Sequence, residues 1–231
     1  MKIEIFLRHC FYSPNSALPN RHRPSWYDKE KVFQNFKRTL NIEACNYTII
    51  YDKHYGPRDQ TFLKTESNVV ECDCGNEAGS FIFTLNYIKD QNYDPNTIIY
   101  FLEDDYLHLP GWEKVMVEAF ALPIHYMTLY DHLDKYLNYP DLYSKIYCTE
   151  SCHWRTVPST CNTYATKYAQ LMQDYHTHEK YSVYSDNGIS RDNDKFLDLG
   201  GQGRSLISSM PGYSTQCDLL QSPTINWEQH L

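Results

Sequence analysis

The sequence predicts an α/β fold in which a mostly parallel sheet is flanked by helices. Apolar runs of strand length alternate with segments of helical periodicity through the first half of the chain. The runs have little polar interruption, which is typical of strands covered on both faces. Polar clusters follow them, and parallel sheets bind ligands at the carboxyl ends of their strands. We therefore expect a ligand site at that edge.

The first predicted strand is Lys2–Leu7, and Arg8, His9 and Cys10 follow it. Apolar residues at helical spacing predict a helix over Asp28–Leu40, with Asp28 as its N-cap. Tyr47–Tyr51 is the second predicted strand and ends at Asp52.

Four further elements follow. Asn76–Ser80 precedes a helix that carries apolar residues, and Thr97–Leu102 is the most strand-like run in the chain. A helix over Glu113–Ala121 and a strand over Tyr126–Tyr130 come next. The second half is less regular, with one helix predicted near Asn162–His176.

Length and composition predict one domain over residues 1–231, with a regular first half over about 1–125 and a less regular second half over about 126–231. The apolar fraction of 42% is that of a globular protein. The formal charge of −8 argues against general nucleic-acid binding, which neutralises phosphates. No run reaches the roughly 20 apolar residues of a membrane span. Without a signal-peptide pattern, we expect a cytoplasmic protein with reduced thiols.

Two cysteine pairs are candidate zinc half-sites: Cys72 with Cys74, and Cys148 with Cys152. Neither has the usual C-x-x-C spacing, and no matching second pair is evident. The sequence therefore does not favour a structural zinc.

The strongest chemical signal is the acidic triplet Glu103-Asp104-Asp105, directly after the Thr97–Leu102 strand. Adjacent carboxylates repel one another, and a divalent cation would remove that cost. Hard cations such as Mg²⁺ and Mn²⁺ prefer carboxylate oxygens and bridge to substrate phosphates. The alternative is a solvated acidic turn, which fits less well after an apolar strand.

This triplet, with Tyr106 and the following Pro-Gly-Trp, resembles the Asp-x-Asp-type motif of metal-dependent glycosyltransferases of the GT-A fold. The resemblance implies a Rossmann-like, nucleotide-sugar-binding half over about 1–125 and an acceptor-binding and catalytic half over about 126–231. It also implies a nucleoside-diphosphate-sugar donor and Mn²⁺ or Mg²⁺. It implies Asp105 as the direct metal ligand. Asp104 and Glu103 would bind the sugar or ribose, or the metal through water. Related enzymes often place a metal-binding His where this chain has Gln216, so Gln216 is a candidate weaker ligand.

The resemblance also implies nucleotide contacts at the ends of the first two strands. Arg8 would contact phosphate or base, and His9 the ribose. The alternative is that both only pair with nearby acidic residues. Asp52 matches an acidic residue that reads the uracil or ribose, although a lone Asp often forms a turn.

Further donor contacts are expected on two loops. Asn76, Gly79 and Ser80 open a helix whose N-terminus favours phosphate or ribose oxygens; an ordinary N-cap is compatible with this. Arg204 and Ser214 are candidates for the diphosphate.

A catalytic base is expected from the segment before a late helix, where an Asp would take the acceptor hydroxyl proton. Asp192 is the first candidate, then Asp194, with Asp186 also in this segment. A capping Asp on a loop is the alternative.

The acceptor is expected to meet a Trp face and flanking polar groups. A buried Trp with ordinary polar neighbours is the alternative. The candidate acceptor-binding residues are Tyr130, Asp131, His132, His153, Trp154 and Arg155.

Together with the resemblance, these observations predict a metal-assisted glycosyltransferase, inverting by preference, that moves a sugar from a nucleoside-diphosphate sugar, with UDP as the expected nucleotide, to a hydroxyl of a glycan or glycoconjugate. One rival is a nucleotidyltransferase or phosphoryl-transfer enzyme that uses the same carboxylates; it should show a phosphate loop with a Lys near the first strand, which Arg8-His9-Cys10 lacks. The other rival is a non-catalytic carbohydrate-binding module.

Overall fold

The computed structural model describes residues 1–13, 22–183 and 191–231. The strands in these residues are β1 Ile3–Cys10, β2 Cys45–Asp52, β3 Val69–Cys72, β4 Ile98–Glu103, β5 Tyr106–His108, β6 Tyr126–Thr128, β7 Ile146–Cys148, β8 His153–Thr156, β9 Tyr164–Lys167, β10 Leu206–Met210 and β11 Ser214–Gln216.

Helices cover both faces of the larger sheet. They are α1 Lys29–Thr39, α2 Glu77–Gln91, α3 Trp112–Ala119, α4 Asp134–Leu137, α5 Tyr168–Gln173, α6 Tyr175–Tyr181 and α7 Asp192–Gly201. Short 3-10 helices span Arg58–Gln60, Phe62–Thr65 and Trp227–His230.

The described strands form a nine-stranded sheet in the order β3-β2-β1-β4-β9-β6-β10-β8-β7. Within this sheet, β9 and β8 run opposite to the other strands, so the sheet is mostly parallel. A separate antiparallel pair, β5 and β11, lies directly after the end of β4. This pair brings the C-terminal part of the chain to the carboxyl end of the parallel strands.

Alternation along β1 divides the core into two layers. Ile3, Ile5 and Leu7 belong to one buried cluster, with aromatic residues of α1 and α3. Phe6 belongs to the other cluster, which α2, α5 and α7 cover. Both faces of β1 are buried, and the strand is apolar at Ile3, Ile5, Phe6 and Leu7 before its polar residues Arg8 and His9.

The predicted α/β class and mostly parallel sheet are confirmed. Asp28 caps α1 by accepting a hydrogen bond from the backbone N–H of Lys31 at 2.9 Å. The helix predicted near Asn162–His176 is wrong at its start, because Tyr164–Lys167 forms β9. Hydrogen bonding to β4 on one side and β6 on the other holds this segment extended, a tertiary effect that local periodicity does not report.

No helix in the described ranges combines the length and apolar character needed to cross a bilayer.

Buried histidines should make the fold sensitive to acid. Burial lowers the pKa of His108 to about 3. Below pH 6.5, His108 therefore binds a proton in the unfolded chain but stays neutral in the folded chain until the pH approaches 3. Stability is therefore lost as pH falls below 6.5. We expect His108 to contribute about 2 kcal/mol of the loss in unfolding free energy between pH 7 and pH 5.

Urea unfolding of His108→Gln at both pH values measures this contribution. The variant should be less stable at pH 7, since His108 accepts or donates a 2.9 Å hydrogen bond with Tyr100, but its loss on acidification should be smaller. His176→Gln is the matched control, because that side chain is exposed. Equal acid sensitivity in wild type and His108→Gln would contradict the assignment.

Candidate active site

The acidic triplet is matched, residue by residue, by basic side chains. The guanidinium of Arg8 lies 3.2 Å from Glu103 Oε1, and Lys29 Nζ lies 2.7 Å from Asp104 Oδ2. Arg23 Nη2 lies 2.7 Å from Asp105 Oδ2. The three cations come from β1, α1 and the segment before α1. Each carboxylate at the carboxyl end of β4 therefore has one basic side chain as its partner.

Asp104 lies beside the start of α1 in a partly buried cluster with Lys29 and His9. Lys29 Nζ donates to Asp104 and also to the backbone oxygen of Cys10, at 2.9 Å. Burial alone would raise the pKa of Asp104, but Lys29 and His9 hold it below its ordinary value. His9 is buried, its Nε2 lies 3.7 Å from Asp104, and burial lowers the pKa of His9 to about 4. His9 is therefore a neutral imidazole at pH 7.

Asp105 lies between Arg23 and the C-terminal strand β11. Gln216 donates its side-chain N–H to Asp105 Oδ2 at 3.1 Å, and Cys217 N–H donates to the Asp105 backbone oxygen at 2.8 Å. Burial alone would lower the pKa of Arg23, but Asp105 raises it. Asp105 Oδ1 is buried and has no hydrogen-bond partner among the described residues.

The acidic triplet does not need a metal ion to offset the repulsion between its carboxylates, contrary to the expectation from the sequence. Arg8, Lys29 and Arg23 already supply the opposing charge. The triplet also does not place three Asp, Glu, His or Cys ligand atoms within 4.8 Å of one another in the part of the chain that the structure describes. Gln216 reaches the expected place beside Asp105, but through its amide N–H and not its oxygen.

The start of α2 meets the triplet through Arg8. Arg8 donates to the backbone oxygen of Glu77 at 3.1 Å and to Ser80 Oγ at 3.3 Å. Asn76 caps the helix by accepting from Gly79 N–H at 2.8 Å, so the N-cap alternative is realised. A Cβ on Gly79 would lie 3.0 Å from the Cys74 side chain, so its close approach is to protein.

The Asp52 carboxylate is hydrogen-bonded to the backbone of the turn that joins β3 to α2. The carboxylate accepts backbone N–H groups from Cys74 at 3.0 Å, Gly75 at 2.9 Å and His54 at 3.2 Å. Gly75 has φ of +70°, which a residue with a side chain rarely adopts. The turn-forming alternative for Asp52 therefore agrees with the structure.

A buried lysine, Lys195, lies over the same Phe81 ring as Arg8. Lys195 of α7 is 2% exposed, is hydrogen-bonded to Asn162 Oδ1, and lies 4.6 Å from the centre of the Tyr164 ring. Burial lowers the pKa of Lys195 to about 7, against the opposing charge of Asp192. Asn162 in turn donates to Glu77 Oε1 at 3.0 Å, so Lys195 connects to the start of α2.

The candidate catalytic and diphosphate residues divide into two sets. Asp192 begins α7 and acts electrostatically on Lys195, whereas Asp194 is exposed and pairs with Arg191 at 3.3 Å. Asp186 lies outside the described residues. Arg204 pairs with Asp174 at 2.8 Å before β10, at the opposite edge of the sheet from Glu103, so the diphosphate contact predicted for it is corrected.

Ser214 lies on β11 and is fully buried, with its backbone oxygen accepting from Ser222 Oγ at 2.7 Å. It is on the same side of the sheet as the triplet because β11 pairs with β5. Its hydroxyl oxygen is buried and has no hydrogen-bond partner among the described residues.

The predicted acceptor residues lie beyond β6 and on β8. The Tyr130 ring packs 5.6 Å from Tyr106 beside the triplet, and His132 pairs with Asp134 at 2.7 Å. Arg155 and Asp131 form a buried ion pair at 2.7 Å.

His153 and Trp154 are adjacent in sequence but face opposite ways. Trp154 is fully buried in the core and donates to Thr149 Oγ1 at 3.1 Å. It cannot stack on a sugar, so the buried-Trp alternative is correct. His153 is exposed at the start of β8.

Three basic residues of the site are not among those predicted from the sequence: Lys29, Arg23 and Lys195. Lys29 lies in the predicted Asp28–Leu40 helix, Lys195 lies in the segment predicted to precede a late helix, and Arg23 lies in a predicted loop. Only Lys29 had a usable signal, since it lies one residue after the N-cap of a helix that follows β1.

Comparisons with known proteins inform the fold. No protein-family model and no curated protein matches the sequence. The solved structure of CMP:2-keto-3-deoxy-manno-octonic acid synthetase complexed with CTP matches with a TM-score of 0.52 and 13% identity, over 92% of each chain. A197 from STIV matches with a TM-score of 0.43 and 13% identity, over 90% of this chain and 81% of the other, too low a score to support an argument.

The predicted glycosyltransferase function is wrong by this comparison. The structure that shares this fold is that of CMP:2-keto-3-deoxy-manno-octonic acid synthetase complexed with CTP, and its printed name does not describe a glycosyltransferase. The UDP-sugar donor, the glycan acceptor and Mn²⁺ gain no support from it.

The Arg23–Asp105 pair should be strongly coupled, because removal of one partner leaves the other buried and uncompensated. We expect Arg23→Met and Asp105→Asn each to lower the unfolding free energy by about 3 kcal/mol, and the double variant to lose much less than the sum. Urea unfolding at pH 7 measures all three. The exposed pair Arg191–Asp194 provides the control, with about 0.5 kcal/mol or less. Additive losses at Arg23 and Asp105 would contradict the coupling.

Lys195 should reduce stability at neutral pH. Its folded pKa lies below the unfolded value of about 10.4, so its burial penalty is complete below pH 7 and is relieved as pH rises. We expect Lys195→Met to be more stable than wild type at pH 7. The difference should shrink between pH 7 and pH 9 by up to about 1.4 kcal/mol per pH unit. A difference that does not change with pH would contradict this. Lys64→Met, at an exposed position, is the control.

Proposed function

We propose that this chain is a nucleotidyltransferase that binds a nucleoside triphosphate at the carboxyl end of β1 and β4. In the reaction, an acceptor oxygen forms a bond to the α-phosphorus and the bond from that phosphorus to the bridging oxygen breaks. Pyrophosphate leaves, and the acceptor proton passes to a base. The single observation that carries the proposal is the array of Arg8, Arg23 and Lys29 at the strand ends.

Lys29 provides a lysine at the end of β1, which a nucleotidyltransferase is expected to have and which the residues directly after β1 do not include. A nucleotidyl-transfer enzyme was expected to show a Lys near the first strand, and the segment directly after β1 has none up to Tyr12. Lys29 reaches that place from α1, with Nζ 2.9 Å from the backbone oxygen of Cys10. Its ammonium is therefore available at the strand end where a triphosphate would bind.

Phosphate binding by this array would proceed by exchange of partners. Arg23 and Lys29 are each held by one carboxylate, and phosphate oxygens are acceptors of the same kind. As these cations move to a triphosphate, Asp104 and Asp105 lose their compensating charge. A divalent cation bound with the triphosphate would restore it.

The carboxylates fit such a cation. Asp105 Oδ1 is buried without a hydrogen-bond partner in the described residues, and Asp104 lies beside it. Mg²⁺ bound to a nucleotide commonly takes only one or two protein carboxylates, so a preformed three-ligand set is not required. Asp104 and Asp105 would hold the ion, which would offset charge on the phosphates.

The other residues take positioning roles in this proposal. His9 is neutral and both ring nitrogens lack hydrogen-bond partners among the described residues, so it suits a ribose hydroxyl. Lys195 and Asn162 orient Glu77 at the start of α2. Asp192, at the start of α7, is our candidate to accept the acceptor proton.

The comparison structure guides the choice of substrates. Its protein was solved with CTP and is a synthetase of a CMP-linked sugar acid. We therefore place CTP first among the nucleotides and sugar acids first among the acceptors.

The test is a pyrophosphate-release assay with Mg²⁺, each of the four ribonucleoside triphosphates and a panel of sugars and sugar acids. We expect release that depends on both the nucleotide and the acceptor. Lys29→Met and Asp105→Asn should each lower kcat/KM on the order of 100-fold, because Lys29 would pair with the phosphates and Asp105 would hold their metal ion. Lys64→Met and Asp141→Asn, at exposed positions, are the matched controls.

Calorimetry with the same ligands separates the rival functions. Absence of nucleoside triphosphate binding with Mg²⁺ would overturn the proposal. Sugar binding without any nucleotide requirement would favour the carbohydrate-binding module instead.

A further inference from the structure

A second cluster of ligand atoms lies at the same sheet edge, at the ends of β2 and β3. Asp52, Cys72 and Cys74 place one carboxylate oxygen and two sulfur atoms within 4.8 Å of one another. Among the described residues, no other Asp, Glu, His or Cys group of three is this close. Asp52 and Cys72 are buried, and Cys74 is partly exposed.

The strand register explains why these atoms meet. Asp52 lies directly opposite Cys72 in the parallel pairing of β2 with β3. Cys74 is two residues further along, and residues spaced by two in extended chain point to the same side. The sulfur atoms therefore face the carboxylate together, in an arrangement that depends on tertiary pairing.

Hydrogen bonds hold the cluster in place before any ligand binds. The carboxylate of Asp52 accepts N–H groups from His54, Cys74 and Gly75, and the positive φ of Gly75 lets the last two converge. A carboxylate has about four lone-pair sites, so about one remains for a metal ion. Asp52 thus fixes the position of Cys74 and keeps the capacity for one further bond.

We propose that Asp52, Cys72 and Cys74 form a zinc site with a fourth position open toward solvent. On binding, each thiol loses its proton and forms a Zn–S bond, the carboxylate gives one Zn–O bond, and two protons pass to solvent for each ion. Zinc is favoured over Mg²⁺ by the two sulfur ligands, and over Cu⁺ by the carboxylate. The inference does not rest on the proposed nucleotidyl transfer.

The zinc-bound site would carry a net negative charge. Two thiolates and a carboxylate exceed the zinc charge by one negative unit. Cys74 packs against the first turn of α2, where a Cβ on Gly79 would lie 3.0 Å from it. The N-terminus of the 15-residue helix α2 therefore lies beside Cys74, while burial and the carboxylates of Asp52 and Asp73 raise the pKa of both thiols.

The result differs from what spacing alone suggested. Cys72-x-Cys74 lacks the C-x-x-C spacing, and no second cysteine pair is in reach in the sequence. The third ligand is a carboxylate from the neighbouring strand, 20 residues earlier, which a search for cysteine pairs does not find.

The experiment uses the full chain, stripped of metal by a chelator and kept reduced by a phosphine. Zinc is titrated in competition with a chromophoric chelator, and proton release is followed in weak buffer. We expect one zinc per chain and two protons per zinc. Cobalt in place of zinc should give thiolate-to-cobalt charge-transfer absorption.

Cys72→Ser and Cys74→Ser should each weaken zinc binding on the order of 100-fold and lower the charge-transfer absorption. Cys148→Ser, at an exposed cysteine on the edge strand β7, is the matched control and should bind as wild type does. Circular dichroism of the metal-free variants identifies any that fail to fold. Cys74 is the more tolerant site because it is partly exposed.

Three results would overturn the proposal: no stoichiometric zinc bound by reduced wild type, unchanged affinity in folded Cys74→Ser, or binding without proton release. Nucleotide assays on the Cys74→Ser variant keep the two proposals distinct. Loss of zinc with nucleotide binding intact leaves the nucleotidyl proposal standing, and absence of both zinc and nucleotide binding in wild type would reject each separately.

Discussion

The pairing of three consecutive carboxylates with three cations is the interaction on which the rest of the site depends. Glu103, Asp104 and Asp105 lie where β4 ends, and side by side they would repel one another. Arg8 and Lys29 tie the end of β1 and the start of α1 to this point. Arg23 ties the segment before α1 to it as well. The charge balance thus joins elements that are distant in sequence.

The same pairing links stability to function. A carboxylate–cation pair in a buried place is costly to break but easy to exchange for another pair of the same charges. Phosphate oxygens can replace a carboxylate as the partner of Arg23 or Lys29, and a divalent cation can replace Arg23 or Lys29 as the partner of Asp104 or Asp105. A site whose charges are paired without ligand can therefore keep them paired when a triphosphate and its metal bind.

The carboxyl edge of the sheet holds two neighbourhoods of different chemistry. Around β1 and β4 the groups are carboxylates and strongly basic side chains, which suit phosphates and hard cations. Around β2 and β3 the groups are two thiols and one carboxylate, which suit a borderline-soft ion. The turn at Gly75 and the first turn of α2 separate them, and Asp52 and Arg8 each belong to one neighbourhood. We infer that the edge can serve two ligands at once.

The sequence by itself determined the α/β class, the early strands and helices, the N-caps at Asp28 and Asn76, and the acidic strand end, because each depends on local periodicity or capping chemistry. Tertiary structure decided the rest. Sheet pairing made β9 a strand, α1 carried Lys29 to β1, and register brought Asp52 to Cys72. Burial decided that Trp154 is core and that Arg204 pairs with Asp174. These outcomes follow from contacts between residues far apart along the chain, and the free energy of such contacts is not contained in any local window.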